Sequence, residues 1–503
     1  MYLMGIDIGT SGCKAVVFDT DWQVVCRAYR EYSVSFVEGN LLDFDAETVF
    51  DGMCEVIREA NRTSPMPVAA FAVSAIGDVI VPVGDDEISV RPSIIDFDPR
   101  GDEEIANFCE AFGRERFFNI NGMPPLYIGS LAKILWIRDH EPENYAKVKR
   151  WATYEDLMIS KLGLPPTVSW SEASRTMLFD IRKRDWSDEI LSAVPMSRDM
   201  LPKAMPSGSV IGVLPDPVAD LLGFSRGVYA VVGGHDMVCS AVGAGLDENE
   251  PGVAVDIAGT IEGVVAALPE ANTTRGMLDS FLPCYLGGKN YVTFSVNLTA
   301  GSVVRWFRDN VAPDWYAECR ASGRDVYEYM QRTMDPGAPG ELTLIPHFEG
   351  SGNPFFSTAS RGVLYGLTLD TKREDVGRAM IEGLALDLRL QLETFKEAGI
   401  KIDALRAVGG GATIDRQLQL KANVTGVPVI KGHVSDSSTL GAAAYAGVGM
   451  GAISDPSEAY RKINTEETVF TPDKKAHERF MKRYELYRRL VFTVNDPDFR
   501  DKY

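Results

Sequence analysis

The spacing of apolar and polar residues predicts short strands and helices in alternation. Apolar runs at 3–8, 15–18, 24–28, 69–75 and 79–83 have the length of buried strands. Residues 46–62 read as a helix, with Asp45 as its N-cap. Residues 144–162 read as largely helical up to Gly163, a good residue to end a helix, and Pro165 and Pro166 then turn the chain. The string VYAVVGGHDMVCSAVGAGL at 228–246 gives strand, glycine turn and helix. An acidic, proline-bearing stretch at 247–251 is the expected domain joint, dividing the chain into 1–246 and 247–503. Past the joint the pattern restarts. It includes a strand and glycine turn at 404–411, a helix at 415–424 and a small-residue helix at 437–448. A helical tail at 477–493 is expected to pack back on the body.

One polar insertion stands out. In MGIDIGTSGCKAVVFD, residues 4–19, an apolar run ends in Asp7, Gly9, Thr10, Ser11 and Gly12 make a tight turn, and apolar residues resume. Such a hairpin can lay backbone N–H groups and hydroxyls against phosphate. Asp7, at the strand end, is placed to hold Mg²⁺ directly or through water. Thr10 and Ser11 can donate to phosphate oxygens, and Lys14 adds a point charge. An ordinary hairpin with polar turn residues is the bland alternative. The related string VDIAGTIEG returns at 255–263. Two acid-then-Gly-Thr turns half a chain apart point to two similar lobes gripping one nucleotide.

Three further clusters carry chemistry. Gly233 and Gly234 before His235 and Asp236 let backbone approach a ligand, with Asp236 at the start of a helix. A plain N-cap explains Asp236 equally well, and His235 reads as its neighbour rather than a catalyst. Gly409, Gly410 and Gly411 before Ala412 can lie flat against an adenine or ribose. Asp78, Asp96, Asp98 and Arg100 end short apolar runs, where they either bond sugar hydroxyls or are solvated loop charges.

Composition narrows the partners. The 503 residues exceed one core and predict two or more domains. A net charge of −20 argues against nucleic acid. Mean hydropathy is −0.07 and no apolar run is long enough for a membrane span. The first residues enter a strand without a signal pattern, so a cytoplasmic address is expected. The seven cysteines form no Cys-x-x-Cys pair, which fits a reducing compartment. The five histidines show no metal-ligand spacing.

Together these segments resemble the FGGY carbohydrate kinases, of the same superfamily as actin, hexokinase and the heat-shock ATPases. RGVLYGLTLDTKREDVGRAMIEGLALDL at 361–388 fits that family's second sequence pattern throughout. IGSLAKILWIRDH at 128–140 fits the first at Ser130, Lys133, Ile134, Trp136, Asp139 and His140, and departs from it at Ile128. EASRTMLFDIRKRDWSDEIL at 172–191 and PHFEGSGNPFFSTASRG at 346–362 also read as family segments. The likeness spans nearly the whole chain.

The resemblance implies an α/β fold of two ribonuclease-H-like domains around a central cleft, sugar held mainly by the first and ATP by the second. By motif, Asp236 matches the catalytic base and Asp7 the metal and phosphate carboxylate, with Asp236 a second group near the metal. Gly9, Thr10, Ser11 and Lys14 lie in the first phosphate loop, and Gly259 and Thr260 in the second. Gly410, Gly411 and Ala412 match the adenosine loop, with Asp415 a contact to adenine or ribose. Gly301, in AGSVVRW, lines the nucleotide pocket. Asp78, Asp98 and Arg100 join Asp236 as substrate residues. The sugar-reading loops depart from the pattern. The xylulokinase-like branch has Gln-Met-His-Gly where this chain has Ile76, Gly77, Asp78 and Val79, and the tryptophan of its Trp-Asn-Asp-Gly-Arg string is Asp96 here. The Arg-Glu pair of the glycerol-kinase branch is missing near position 78.

The expected activity is Mg²⁺- and ATP-dependent phosphorylation of a primary hydroxyl on a small sugar or polyol. D-Xylulose stands first, with glycerol, ribulose and gluconate-like acids as alternatives. A non-enzymatic actin-like ATP-binding protein and a retired sugar sensor are the rival classes. The partner is a small molecule, without nucleic acid or membrane, and a homodimer is among the family expectations.

Overall fold

The computed structural model describes residues 1–32, 35–37, 41–434 and 436–500. Two mixed sheets with the same core topology form its frame. In the first, Tyr2–Ile8, Gly12–Phe18 and Val24–Glu31 make an antiparallel meander, and Val68–Ala75 and then Tyr229–His235 add in parallel to Tyr2–Ile8. In the second, Val253–Ala258, Glu262–Leu268 and Tyr291–Asn297 make the meander, and Ala404–Val408 and Val429–Lys431 add in parallel. Each sheet closes on an antiparallel edge strand, Val210–Val213 or Thr468–Phe470.

Alternation along the first strand sorts its residues between two faces. Met4, Ile6 and Ile8 pack with Val49, Met53 and Val56 of the Ala46–Thr63 helix. Asp45 caps that helix, accepting from the Thr48 N–H at 3.0 Å. Leu3, Gly5 and Asp7 take the other face. This face is covered by Ser437–Gly449, a helix from the far end of the chain.

That covering helix is rich in Gly and Ala because it must come very close. A Cβ on Gly5 would lie 1.8 Å from the Thr439 carbonyl oxygen. The same helix crosses Asp236–Gly243 with backbone against backbone. A Cβ on Gly441 would lie 1.9 Å from the Cys239 oxygen, and one on Gly243 1.9 Å from the Ser437 oxygen. The tail helix Lys474–Asn495 buries Phe480, Tyr484, Tyr487 and Val491 in a cluster with Leu420 and Val424.

The stretch 144–162 departs from the helical expectation. It breaks into a short helix, Pro142–Tyr145, a strand, Arg150–Thr153, and a second helix, Tyr154–Lys161. Pairing decides it: Arg150–Thr153 lies antiparallel to Ile80–Val83, with Trp151 fully buried. Thr153 and Asp156 then close a capping box that starts the second helix. Among the described residues, no helix is long and apolar enough to cross a membrane.

Gly441→Ala is expected to cost about 1–3 kcal/mol through overpacking, because backbone on both sides leaves nowhere to move. Gly410→Ala, whose Cβ would meet nothing within 4 Å, should leave stability unchanged. Urea denaturation of the two variants checks this, and equal midpoints would remove the close-contact argument.

Candidate active site

Register brings the candidate residues of the first half together. Across the sheet, Gly234 stands level with Ser74, Ser74 with Asp7, and Asp7 with Lys14. His235 is one step further, level with Ala75, itself level with Ile8. Asp236 therefore emerges just past the carboxyl edge of the strands, next to the turn that follows Asp7. The Ser74 hydroxyl donates to Asp7 Oδ1 at 2.7 Å. Burial, with the Asp236 charge nearby, holds the Asp7 carboxyl above its usual range against that bond.

Asp236 opens its helix with its side chain 36% exposed, and Oδ1 accepts from the Met237 N–H at 2.5 Å. His235 lies beside it, Nε2 3.1 Å from Asp236 Oδ1 and Nδ1 3.2 Å from the Tyr285 hydroxyl. Gly77 makes room for this ring, since a Cβ there would fall 2.4 Å from His235 Cδ2. Cys239 is buried and unpaired.

A ring of buried acids surrounds this point. Asp78 adopts a left-handed backbone, φ 67°, and its Oδ2 pairs with Arg175 while its Oδ1 has no partner. Asp96 Oδ1 and Glu172 Oε1 are also buried without partners. Burial and the neighbouring Asp78 push the Asp96 carboxyl up to about 7. Burial, with Glu155, Asp236 and Asp78, raises Glu172 further from its usual range. The cations are committed: Arg175 to Asp78, and Lys133 to the carbonyls of Asp98 and Arg100. Burial lowers Lys133 to about 8.

Asp98 and Arg100, expected as substrate residues, do not join this ring. Asp98 accepts from Arg100 Nε at 2.8 Å and from the Leu42 N–H at 2.7 Å, and Arg100 also reaches Asp43. Their polar atoms are spent clamping the 42–43 segment. A tight turn, Asp98 N–H to the Ile95 carbonyl, separates Asp96 from Asp98 and sends them apart. Lys14 is also engaged, 3.0 Å from Asp436 Oδ1.

The second half supplies a cavity of about 370 Å³. Gly259, Thr260, Gly301, Gly410 and Gly411 line it, together with Glu262. The Gly301 N–H donates to the Gly259 carbonyl at 3.0 Å, and a Cβ on Gly301 would collide with that oxygen at 2.6 Å. Ala412 turns its side chain into the core instead. Asp415 lines an adjoining cavity and pairs with Lys431 at 2.6 Å, so it does not line this one. The first-half turn is held by Tyr32, whose hydroxyl donates to the Gly9 carbonyl at 2.7 Å and whose N–H donates to the Ser11 carbonyl. Thr10 and Ser11 sit at its tip.

Sequence reasoning missed Glu172, Arg175 and the His235–Tyr285 contact as parts of one site. Glu172 and Arg175 lie in the EASRTMLFD string, but nothing local says that the string faces Asp78.

Residues 2–243 match the FGGY family of carbohydrate kinases, N-terminal domain, and residues 255–450 match its C-terminal domain. A xylulose kinase of Bacillus subtilis (strain 168) is 26% identical over 503 residues, covering 98% of this chain and 97% of the relative. A glycerol kinase of Koribacter versatilis is 29% identical over 496 residues, covering 94% of each chain. The crystal structure of a gluconate kinase from Lactobacillus acidophilus shares the fold with a TM-score of 0.87 at 21% identity, covering 99% of this chain and 98% of that one.

Asp96 binds its proton more tightly in the folded state than an ordinary carboxyl does. Its contribution to stability is therefore complete at low pH and is lost as pH rises from the usual carboxylate range through about 7. Asp96→Asn should flatten that part of the stability profile, between about pH 4 and 7. Denaturation at several pH values checks it, and an unchanged slope in the variant would place the Asp96 carboxyl in water.

Proposed function

The chain belongs to the FGGY family of carbohydrate kinases, and from that premise we propose that it phosphorylates a primary hydroxyl of a small, neutral, open-chain sugar or polyol with ATP. A ketopentose such as D-xylulose is the first choice of substrate. The observation that carries this reading is the convergence on Asp236 of three buried carboxyl oxygens without partners, on Asp78, Asp96 and Glu172. Such oxygens call for hydroxyl donors. A sugar acid would add a negative charge to a ring of acids whose cations are already paired, so an aldonate fits less well.

In the proposed reaction Asp236 accepts the hydroxyl proton as the alcohol oxygen attacks the γ-phosphorus. The O–H bond breaks, a P–O bond forms to the sugar, and the bond to the β-phosphate oxygen breaks to release ADP. In this reading Thr10, Thr260 and the N–H groups of the two turns hold phosphate oxygens. Asp7 and Asp236 suit a divalent cation, being neighbouring carboxylates with Lys14 turned to Asp436. No group of three or more acidic, His or Cys side chains among the described residues forms a complete metal site. Phosphate oxygens and water would therefore supply the remaining ligands. Mg²⁺ held there offsets phosphate charge. The seven unpaired cysteines suit a reducing, cytoplasmic setting.

Asp236→Asn should lower kcat by about 10²–10⁴-fold with ATP binding retained. A coupled assay of ADP release over ketopentoses, polyols, glycerol and aldonates should give the highest kcat/KM with a neutral substrate. Wild-type turnover by Asp236→Asn would remove it as the base, and preference for an aldonate would overturn the substrate class.

A further inference from the structure

Behind the Gly259–Thr260 turn lies a buried cation that the sequence analysis did not single out. Lys421, 1% exposed, places Nζ 2.6 Å from Asp256 Oδ2 and 2.6 Å from Glu262 Oε1. Both carboxylates are shut off from solvent as well. Asp256 and Glu262 stand on the two arms of the turn, in Val253–Ala258 and Glu262–Leu268. Lys421 stands on Asp415–Thr425, the helix that follows the glycine turn at 409–411. One ammonium thus ties together both sides of the 370 Å³ cavity.

A difference of one residue between the two hairpins accounts for the arrangement. Asp7 comes two residues before Gly9, and Asp256 comes three before Gly259. Side chains alternate along a strand, so the additional residue sends the acid to the opposite face. Asp7 faces the cleft and Ser74, while Asp256 faces the Asp415–Thr425 helix and meets Lys421. Burial disfavours the charged amine, but Asp256 and Glu262 outweigh it and raise Lys421 above its usual value. Burial raises Glu262 in turn, to about 7.

The strands that lead into the two turns are paired, Ile257 level with Val408, and Gly409 packs on the Ala258 backbone, so the turns already meet at their near ends. What lies beyond that contact, the Glu262 arm and the Asp415–Thr425 helix, is joined from behind by Lys421. We propose that Lys421 is a positioning residue for the nucleotide: by clasping Asp256 and Glu262 it fixes the Asp415–Thr425 helix, and the end of the glycine turn before it, against the Gly259–Thr260 hairpin, and so sets affinity for a nucleoside triphosphate without touching it. This rests on the reading that the cavity takes ATP.

Calorimetric titration of the full chain with Mg-ATP, and separately with the preferred sugar, tests it. Lys421→Met should weaken ATP binding by about 10–100-fold, the usual effect of removing a supporting partner, with sugar affinity and kcat at saturating ATP close to wild type. Should that variant fail to fold, the double variant Asp256→Asn, Lys421→Met leaves a single buried carboxyl, able to take up a proton, and carries the same expectation. Unchanged ATP affinity, or equal loss of ATP and sugar affinity, would overturn the proposal. ATP binding by the wild-type chain separately tests the reading of the cavity, and its failure would show before any variant is made.

Discussion

Backbone-to-backbone packing between two short helices is the constraint on which the cleft depends. Asp236–Gly243 and Ser437–Gly449 cross with glycine on each side of the contact, and the second helix lies directly on the strand that ends in Asp7. A methyl group in this seam would lift one helix from the other. The two acids that stand side by side at the carboxyl edge of the first sheet would then separate by a distance large enough to matter for chemistry. The placement of Asp7 and Asp236 is therefore set by residues without side chains.

The two sheets repeat one topology but use it differently. The first supports a ring of acids with few free cations, suited to hydroxyl donors. The second supports a glycine-lined cavity braced by an ion triad. Between them, Tyr285–Leu286 at the edge of the second sheet reaches the first half, where the Tyr285 hydroxyl meets His235 and the Cys284 N–H donates to the Gly122 carbonyl at 2.7 Å. Arg175 also stacks on Tyr285 and Phe294, so the second sheet forms part of the wall behind the acid ring.

Much of the frame was legible because it is local. The Asp7 turn, the Asp45 cap and the strand-turn-helix at Asp236 follow from short-range patterning, and long-range register then brings Asp7 and Asp236 side by side. What was not legible depends on contacts distant in sequence. Asp98 and Arg100 carry a sugar-binding look, but the Leu42–Asp43 segment claims both of them. Residues 150–153 carry a helical context, yet a strand some 70 residues earlier pairs with them. Lys421 looks like an ordinary polar position of an amphipathic helix, because its partners lie about 160 residues upstream. Each miss is a polar side chain or strand whose partner only tertiary structure supplies.

The far-end origin of the Ser437–Gly449 helix has a consequence for biosynthesis. The first sheet is covered on one face by Ala46–Thr63, but the Leu3, Gly5 and Asp7 stripe of its other face lacks its covering helix until residue 449 has been translated and released. An emerging N-terminal half thus displays Leu3 and the glycine seam to its surroundings for most of the time the ribosome takes to make the protein. Truncation before this helix would leave that apolar surface permanently open.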